Sequence, residues 1–272
     1  MSKLLISLIL LFPAFAFGQA ERPAFLVLME MAKVKKVIQV DTVAGKTSVL
    51  FTSIVDDPAF VFVFAPGGDG TLALEANADG TPFTKRVRNP TYFFASGFLE
   101  RQAAWAAIDV PESFGSVVSR QQRQEEKHID AITQVARKLR EEYPKAKHFL
   151  IGQSNGGITA GMQAVQSRPV FDGIVFSAPN LSDFPIRWEP RQANVPIKFI
   201  THANDDCGIE FRKPTISSLT IRAAGNRFPL TVIKSPSPGN RQECFAVPSP
   251  HMFTNVYGEY AEAIMKWAMA LK

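Results

Sequence analysis

The segment Gly152-Gln153-Ser154-Asn155-Gly156 sets a serine between two glycines at the spacing G-x-S-x-G. A serine hydroxyl is a weak nucleophile until a neighbouring base takes its proton, and that base needs a third group to orient it. The flanking glycines suit a sharp strand-to-helix turn. They let nearby backbone approach without a Cβ clash, so the hydroxyl can stand clear of a sheet edge. A helix opening behind the serine favours negative charge developing at its N-terminus. The bare pattern says little alone. Its position, directly after the apolar run His148 to Ile151 and at the start of a small-residue helix expected over Asn155 to Ser167, makes Ser154 a candidate nucleophile.

The partners such a serine needs are present downstream. Two histidines follow it, His202 and His251. His202 lies at the end of an apolar run. His251 lies in Pro248-Ser249-Pro250-His251-Met252-Phe253, just ahead of the last helical pattern. Between them the turn Thr201-His202-Ala203-Asn204-Asp205-Asp206-Cys207 offers two carboxylates, Asp205 and Asp206. Either could hold an imidazole tautomer and stabilise the imidazolium. Acyl transfer also needs preorganised N–H donors for an oxyanion. Asn155 supplies one from its backbone, and Pro66-Gly67-Gly68-Asp69-Gly70 can supply another, from Gly68 or, second, from Asp69. A phosphate-cradling role for this loop lacks the Lys-Ser/Thr that should follow. Asp109, at the end of an apolar run, reads equally as pocket lining or as a loop cap. Phe184 and Trp188 sit between two strands, where Trp188 can wall a pocket or simply pack.

Elements must bring these residues together. Val37 to Val43 and Ser48 to Ile54 alternate apolar and polar residues and are expected to form antiparallel strands. Phe60 to Ala65, Ala103 to Asp109, His148 to Ile151, Gly173 to Ser177, Ile197 to Thr201 and Leu230 to Ile233 read as further, buried strands. Helices are expected over Pro90 to Gln102, Arg120 to Tyr143, Asn155 to Ser167 and Thr215 to Gly225, with a closing helix from Val256 to Leu271. In the longest, Ile129, Ile132, Ala136, Leu139 and Tyr143 form one apolar face, and Pro144 ends it. About eight strands alternating with helices imply an α/β class with a mostly parallel sheet covered on both faces. No repeat, low-complexity tract or linker divides the chain.

A composition of 46% hydrophobic and 20% charged residues supports one sizeable core. Residues 1–18 are read apart from it, as a secretory signal. Lys3 precedes the apolar run Leu4 to Phe17, which ends in Ala16-Phe17-Gly18, with cleavage expected before Gln19. The run is shorter than the ~20 residues of a membrane span, so stable insertion of the mature chain is not expected. The domain is therefore expected over residues 19–272. The formal charge of +5 comes from scattered basic residues without interleaved aromatics, which argues against nucleic-acid binding. Export to the periplasm or medium would place the two cysteines, Cys207 and Cys244, in an oxidising compartment where they can pair.

With these residues placed, the chain resembles the α/β-hydrolase superfamily over nearly all its mature length. More narrowly, it looks like exported or soluble bacterial serine hydrolases of unassigned substrate. The resemblance rests on Pro66 to Gly70, Gly152 to Gly156, Asn204-Asp205-Asp206-Cys207 and Cys244 to His251. Pro66 departs from the histidine that often opens the first of these loops. The resemblance implies the chain order Ser, acid, His, with His251 as the base and His202 in a supporting place. The superfamily's strand-end pattern, laid on Pro196, puts the acid at Asp205, with Asp206 the alternative. It implies no metal and no organic cofactor; the segment Pro179 to Val195, where related enzymes insert a lid, is under twenty residues, so a small or absent lid is expected. The leading expectation is cleavage of a carboxylic ester, from a small molecule or a polymer end, through an acyl-enzyme. The competing readings are an amidase or peptidase with the same triad, and a non-catalytic binding protein on this fold. A dienelactone-hydrolase-like enzyme would need a cysteine at position 154.

Overall fold

The computed structural model describes residues 23–179, 192–207, 228–239 and 248–271. The signal segment 1–18, the helix expected over Thr215 to Gly225, the side chains of Phe184 and Trp188, the lid region and Cys244 lie outside the described residues.

The main sheet contains β1 (Val34–Thr42), β2 (Gly45–Ser53), β3 (Phe60–Ala65), β6 (Ala104–Ile108), β7 (Lys147–Gln153), β8 (Gly173–Ser177), β9 (Ile197–His202) and β10 (Leu230–Ile233). Their order across the sheet is β1-β2-β6-β3-β7-β8-β9-β10. β1 pairs antiparallel with β2, and β2 antiparallel with β6. Every other neighbouring pair is parallel. This is the expected architecture, and each expected strand is present.

The alternation of side chains along the strands fills two cores. Phe62 and Phe64 of β3, with Phe149 and Ile151 of β7, face α1 (Ala24–Met31), α2 (Thr91–Leu99) and the closing helix α5 (Tyr257–Ala270). Val61, Val63 and Ala65, with Leu150, face α3 (Glu126–Glu142) and α4 (Gly156–Ala164). Aromatic rings dominate the first core, where Phe62 meets Phe98 and Phe64 meets Trp105, both at 4.5 Å between ring centres. A parallel sheet buried on both faces needs such continuous apolar strands.

Three local features depart from expectation. The helix α3 starts later than Arg120. Ser119 and Gln122 cap one another reciprocally, N–H to Oε1 at 2.8 Å and N–H to Oγ at 3.2 Å. That box closes a separate 3-10 turn, Gln122–Gln124, and extended backbone at Glu125 separates it from α3. The apolar helix α1 also appears, burying Ala24, Phe25 and Leu28. A two-stranded ribbon forms from β4 (Leu74–Ala76) and β5 (Pro82–Thr84), whose strands of three residues are too short to show periodicity.

The connections place the chemistry. From β3 the chain passes through α2 to β6 on one side, then through α3 to β7 on the other. Strand order thus reverses at β3, and the loops following β3 and β7 flank the crevice that such a reversal opens.

Candidate active site

Ser154 follows the last residue of β7 and precedes α4. Its φ of +52° lies in the left-handed region, which costs a non-glycine residue about 1 kcal/mol or more and must be imposed by its surroundings. Those surroundings are visible. The Ser154 N–H donates to Ser177 O at 2.9 Å, and Gly157 N–H donates to Ser154 O at 2.9 Å. A Cβ on Gly156 would come within 2.1 Å of Ala65 O, so only glycine lets the start of α4 lie against the end of β3. The spacing of the motif is therefore a packing requirement of this turn.

His251 sits in the 3-10 turn Pro250–Met252 and is buried. Its Nδ1 lies 2.9 Å from Asp205 Oδ2. A carboxylate can only accept, so Nδ1 carries the proton and Nε2 presents its lone pair. Nε2 is buried and makes no hydrogen bond among the described residues, so the Ser154 hydroxyl stops short of it. Contacts of this kind tighten when substrate binds. The Gln153 side chain ties the two loops, donating to His251 O at 3.4 Å.

Asp205 follows β9. Its Oδ1 accepts the Cys207 N–H at 3.0 Å, which leaves Oδ2 for the imidazole. It is Asp205, not Asp206, that reaches His251. His202 takes the supporting place: its Nδ1 accepts the Asn204 N–H at 3.0 Å and its Nε2 lies 2.9 Å from Ser235 O. Both ring nitrogens thus stiffen the turn that carries Asp205. Cys207 is buried and is not a free thiol. Asp205, Cys207 and His251 hold their donor atoms within 4.8 Å of one another. A sulfur that is not a thiolate is a poor metal ligand, and the Asp–His bond already occupies the other two groups, so this trio does not fit a metal centre.

A cavity of about 340 Å³ opens over Ser154, with Gly67, Gly68, Asp69, Arg86 and Met252 in its walls. Gly67 lies directly against the nucleophile turn: a Cβ there would be 2.8 Å from Ser154 Cβ. The Asn155 side chain donates to Gly68 O at 3.2 Å, joining the two loops. Among the described residues, neither the Gly68 nor the Asn155 amide N–H donates to a group of the chain. Asp69 bonds the Thr71 N–H and meets Arg86 at 3.4 Å. A larger, shallow cavity of about 680 Å³ lies along α3, lined mainly by charged and polar side chains, and has no nucleophile–base pair.

Asp109 does not line the cavity over Ser154. Its carboxylate accepts the backbone N–H groups of Leu72, Leu74 and Val110 at 2.7–2.8 Å, which spends it on holding the loop after β3. Trp188 lies outside the described residues. Sequence reasoning missed Arg86 and Asn89 in the cavity wall. It also missed a buried group behind the glycine loop. There Arg123 donates to Pro66 O at 3.1 Å, Gly68 O at 3.4 Å and Thr159 Oγ1 at 3.2 Å. His128 Nε2 lies 3.1 Å from the same Thr159 oxygen. Burial and the adjacent Arg123 push the His128 pKa down to about 3, and burial lowers that of Arg123 to about 10.

Residues 118–203 match a family model described as serine aminopeptidase, S33. The match spans α3, the Ser154 turn and β9 and stops short of Asp205 and His251. No curated protein matches the chain significantly. Among solved structures, an α/β serine hydrolase without a lid from Xanthomonas campestris is similar at 15% identity. Its TM-score is 0.55, over 86% of this chain and 95% of that one. An esterase from Pyrobaculum calidifontis is similar at 15% identity with a TM-score of 0.56, over 91% of each chain. An acylaminoacyl peptidase from Pyrococcus horikoshii is similar at 11% identity with a TM-score of 0.55, over 90% of this chain and 43% of that one. The strand order and these likenesses together give the chain the α/β-hydrolase fold.

Proposed function

On this α/β-hydrolase fold, we propose that the chain is a serine hydrolase that cleaves a carboxylic ester through Ser154, His251 and Asp205. The observation that carries the reading is the 2.9 Å bond from His251 to Asp205, on loops that also flank the strained Ser154 turn. In the proposed reaction the Ser154 Oγ attacks the carbonyl carbon and its proton passes to His251 Nε2. The oxyanion accepts hydrogen bonds from the Asn155 and Gly68 N–H groups. The tetrahedral adduct collapses, the alcohol leaves with the proton from His251, and an acyl-enzyme remains. Water, deprotonated by His251, then releases the acid and returns Ser154. Asp205 keeps Nδ1 protonated and stabilises the imidazolium in both halves. The route takes its electrons and protons from these residues and water.

Replacing Ser154 by Ala should abolish turnover of p-nitrophenyl esters and labelling by a fluorophosphonate while leaving the thermal unfolding curve in place. Turnover retained by S154A would overturn the assignment. A wild-type protein that neither turns over esters nor takes the label at Ser154 would favour a binding protein.

Amide or peptide cleavage by the same residues is the second reading, favoured by the serine aminopeptidase match over residues 118–203. The fold is shared with esterases and peptidases alike, so the leaving group is selected by the pocket walls. Matched p-nitrophenyl ester and p-nitroanilide substrates separate the two. We also propose that residues 1–18 direct export, that the mature chain begins at Gln19, and that Cys207 pairs with Cys244.

A further inference from the structure

Arg123 is a guanidinium sealed inside the protein, only 2% exposed, with no carboxylate at ion-pair distance among the described residues. A buried cation that makes no bond with a counter-ion is costly; Asp69 acts on Arg123 through space and raises its pKa, but does not pair with it. Here the guanidinium is met by oxygens that bear only partial charge: the carbonyls of Pro66 and Gly68 and the hydroxyl of Thr159. Two of the three belong to the loop that faces Ser154.

The geometry of a peptide makes that choice consequential. In a trans peptide the carbonyl and the N–H of the next residue lie in one plane and point in opposite directions. Holding the Pro66 and Gly68 carbonyls toward Arg123 therefore turns the Gly67 and Asp69 N–H groups away from it. The peptide between them is fixed by Gly70 N–H donating to Gly67 O at 3.0 Å. The Asn155 side chain joins Arg123 on the Gly68 carbonyl. All three residues, Gly67, Gly68 and Asp69, line the cavity over Ser154. The dipoles of the two held peptides thus run with their negative ends on the guanidinium and their positive ends away from it.

We propose that Arg123 is a positioning residue of the oxyanion hole. It holds the Pro66–Gly67 and Gly68–Asp69 peptides from behind, on either side of the Gly67–Gly68 peptide, so that the Gly68 N–H between them is preorganised for charge on a substrate oxygen at Ser154. This rests on the serine hydrolase reading above. Thr159 completes the support. Its Oγ1 accepts from Arg123 and can donate to His128 Nε2, which stays neutral because its pKa is depressed to about 3. A second cation therefore does not compete with Arg123 for the same oxygen.

The test uses Arg123→Met and Arg123→Lys in the full-length protein, with wild type and Ser154→Ala alongside. An effect on the transition state lowers kcat and leaves KM nearly unchanged. Arg123→Met should lose roughly tenfold to a hundredfold in ester kcat, less than direct removal of an oxyanion donor costs. An alkyl boronic acid, which forms a tetrahedral anion on Ser154, should bind more weakly by a similar factor. Arg123→Lys should recover part of both losses, as should guanidinium added to Arg123→Met. If Arg123→Met fails to fold, Thr159→Val removes one acceptor and should show the same split, with Thr159→Ser restoring kcat. A folded variant with unchanged kcat and boronate affinity, or with changes confined to KM or unfolding temperature, overturns the proposal. Turnover by Ser154→Ala would instead remove the hydrolase reading on which it rests.

Discussion

Asp205 and Asp206 are adjacent carboxylates that the turn after β9 sends in different directions. Asp205 is anchored on one oxygen by the Cys207 N–H and gives the other to His251. Asp205→Asn should keep the shape and reverse the hydrogen-bond sense, holding the imidazole in the wrong tautomer. Ester kcat should then fall by up to about 10⁴-fold. Asp206→Asn should stay within a few-fold of wild type. Stopped assays on the two purified variants make the comparison, and an equal loss in both would remove Asp205 from the role proposed for it. At this scale the sequence was informative where residue type itself carries chemistry. A serine between glycines, a late histidine and an acid turn can be found by type and order. Arg123 could not be found that way. It lies in a stretch read as the start of an amphipathic helix, and only the 3-10 turn at Gln122–Gln124 points it inward. Asp109 reads equally as pocket lining or as a loop cap, and the structure shows it capping the loop. A strand-end carboxylate has the right type and place for a pocket, but backbone donors from a loop far along the chain claim it.

At the scale of elements, the site depends on how closely α4 approaches β3. The Gly156 position leaves no room for a methyl group against Ala65 O, which is backbone and cannot step aside. Gly156→Ala should cost roughly 1–3 kcal/mol by overpacking, measured by denaturant unfolding. Activity should fall with it, since Ala65 leads directly into the Pro66–Gly70 loop. The contact between α3 and α4 has its own signature in pH. His128 of α3 is depressed to about 3 by burial first and by Arg123 second, against 6.5 when unfolded. As pH falls below 6.5 the unfolded chain takes up a proton that the folded chain refuses, so stability falls with pH until about 3. The slope from this group approaches about 1.4 kcal/mol per pH unit. His128→Gln keeps a partner for Thr159 and cannot titrate, so its stability profile should be shallower between those limits. Parallel profiles for variant and wild type would show that His128 does not titrate as inferred.

For the whole molecule, the sheet was legible because its strands are buried on both faces and read as unbroken apolar runs such as Phe60 to Ala65 and Gly173 to Ser177. The ribbon β4–β5 and helix α1 were not. One has strands of three residues, and the other is apolar at every position but Glu30 and sits just after the segment set aside as a signal. What the sheet does not do by itself is hold the acid and base loops at a fixed separation. They follow β9 and β10, and β10 is the edge strand, with β9 as its one neighbour in the described sheet. The proposed Cys207–Cys244 bridge would join the acid turn to the segment leading into His251. Cys207 also anchors Asp205 through its N–H, so loosening it should loosen the Asp–His pair. Unfolded, unreduced protein should then show no reactive thiol, and reduction should free both. Reduction, or a double change to Ser, should lower stability by roughly 3–4 kcal/mol in the chain-entropy model. It should also lower kcat more than it raises KM, because what drifts is the base. Two reactive thiols in the unreduced, unfolded protein would remove the bridge. The acid and base loops would then have to be held by contacts such as His202–Ser235, Gln153–His251 and the Asp205–His251 bond itself.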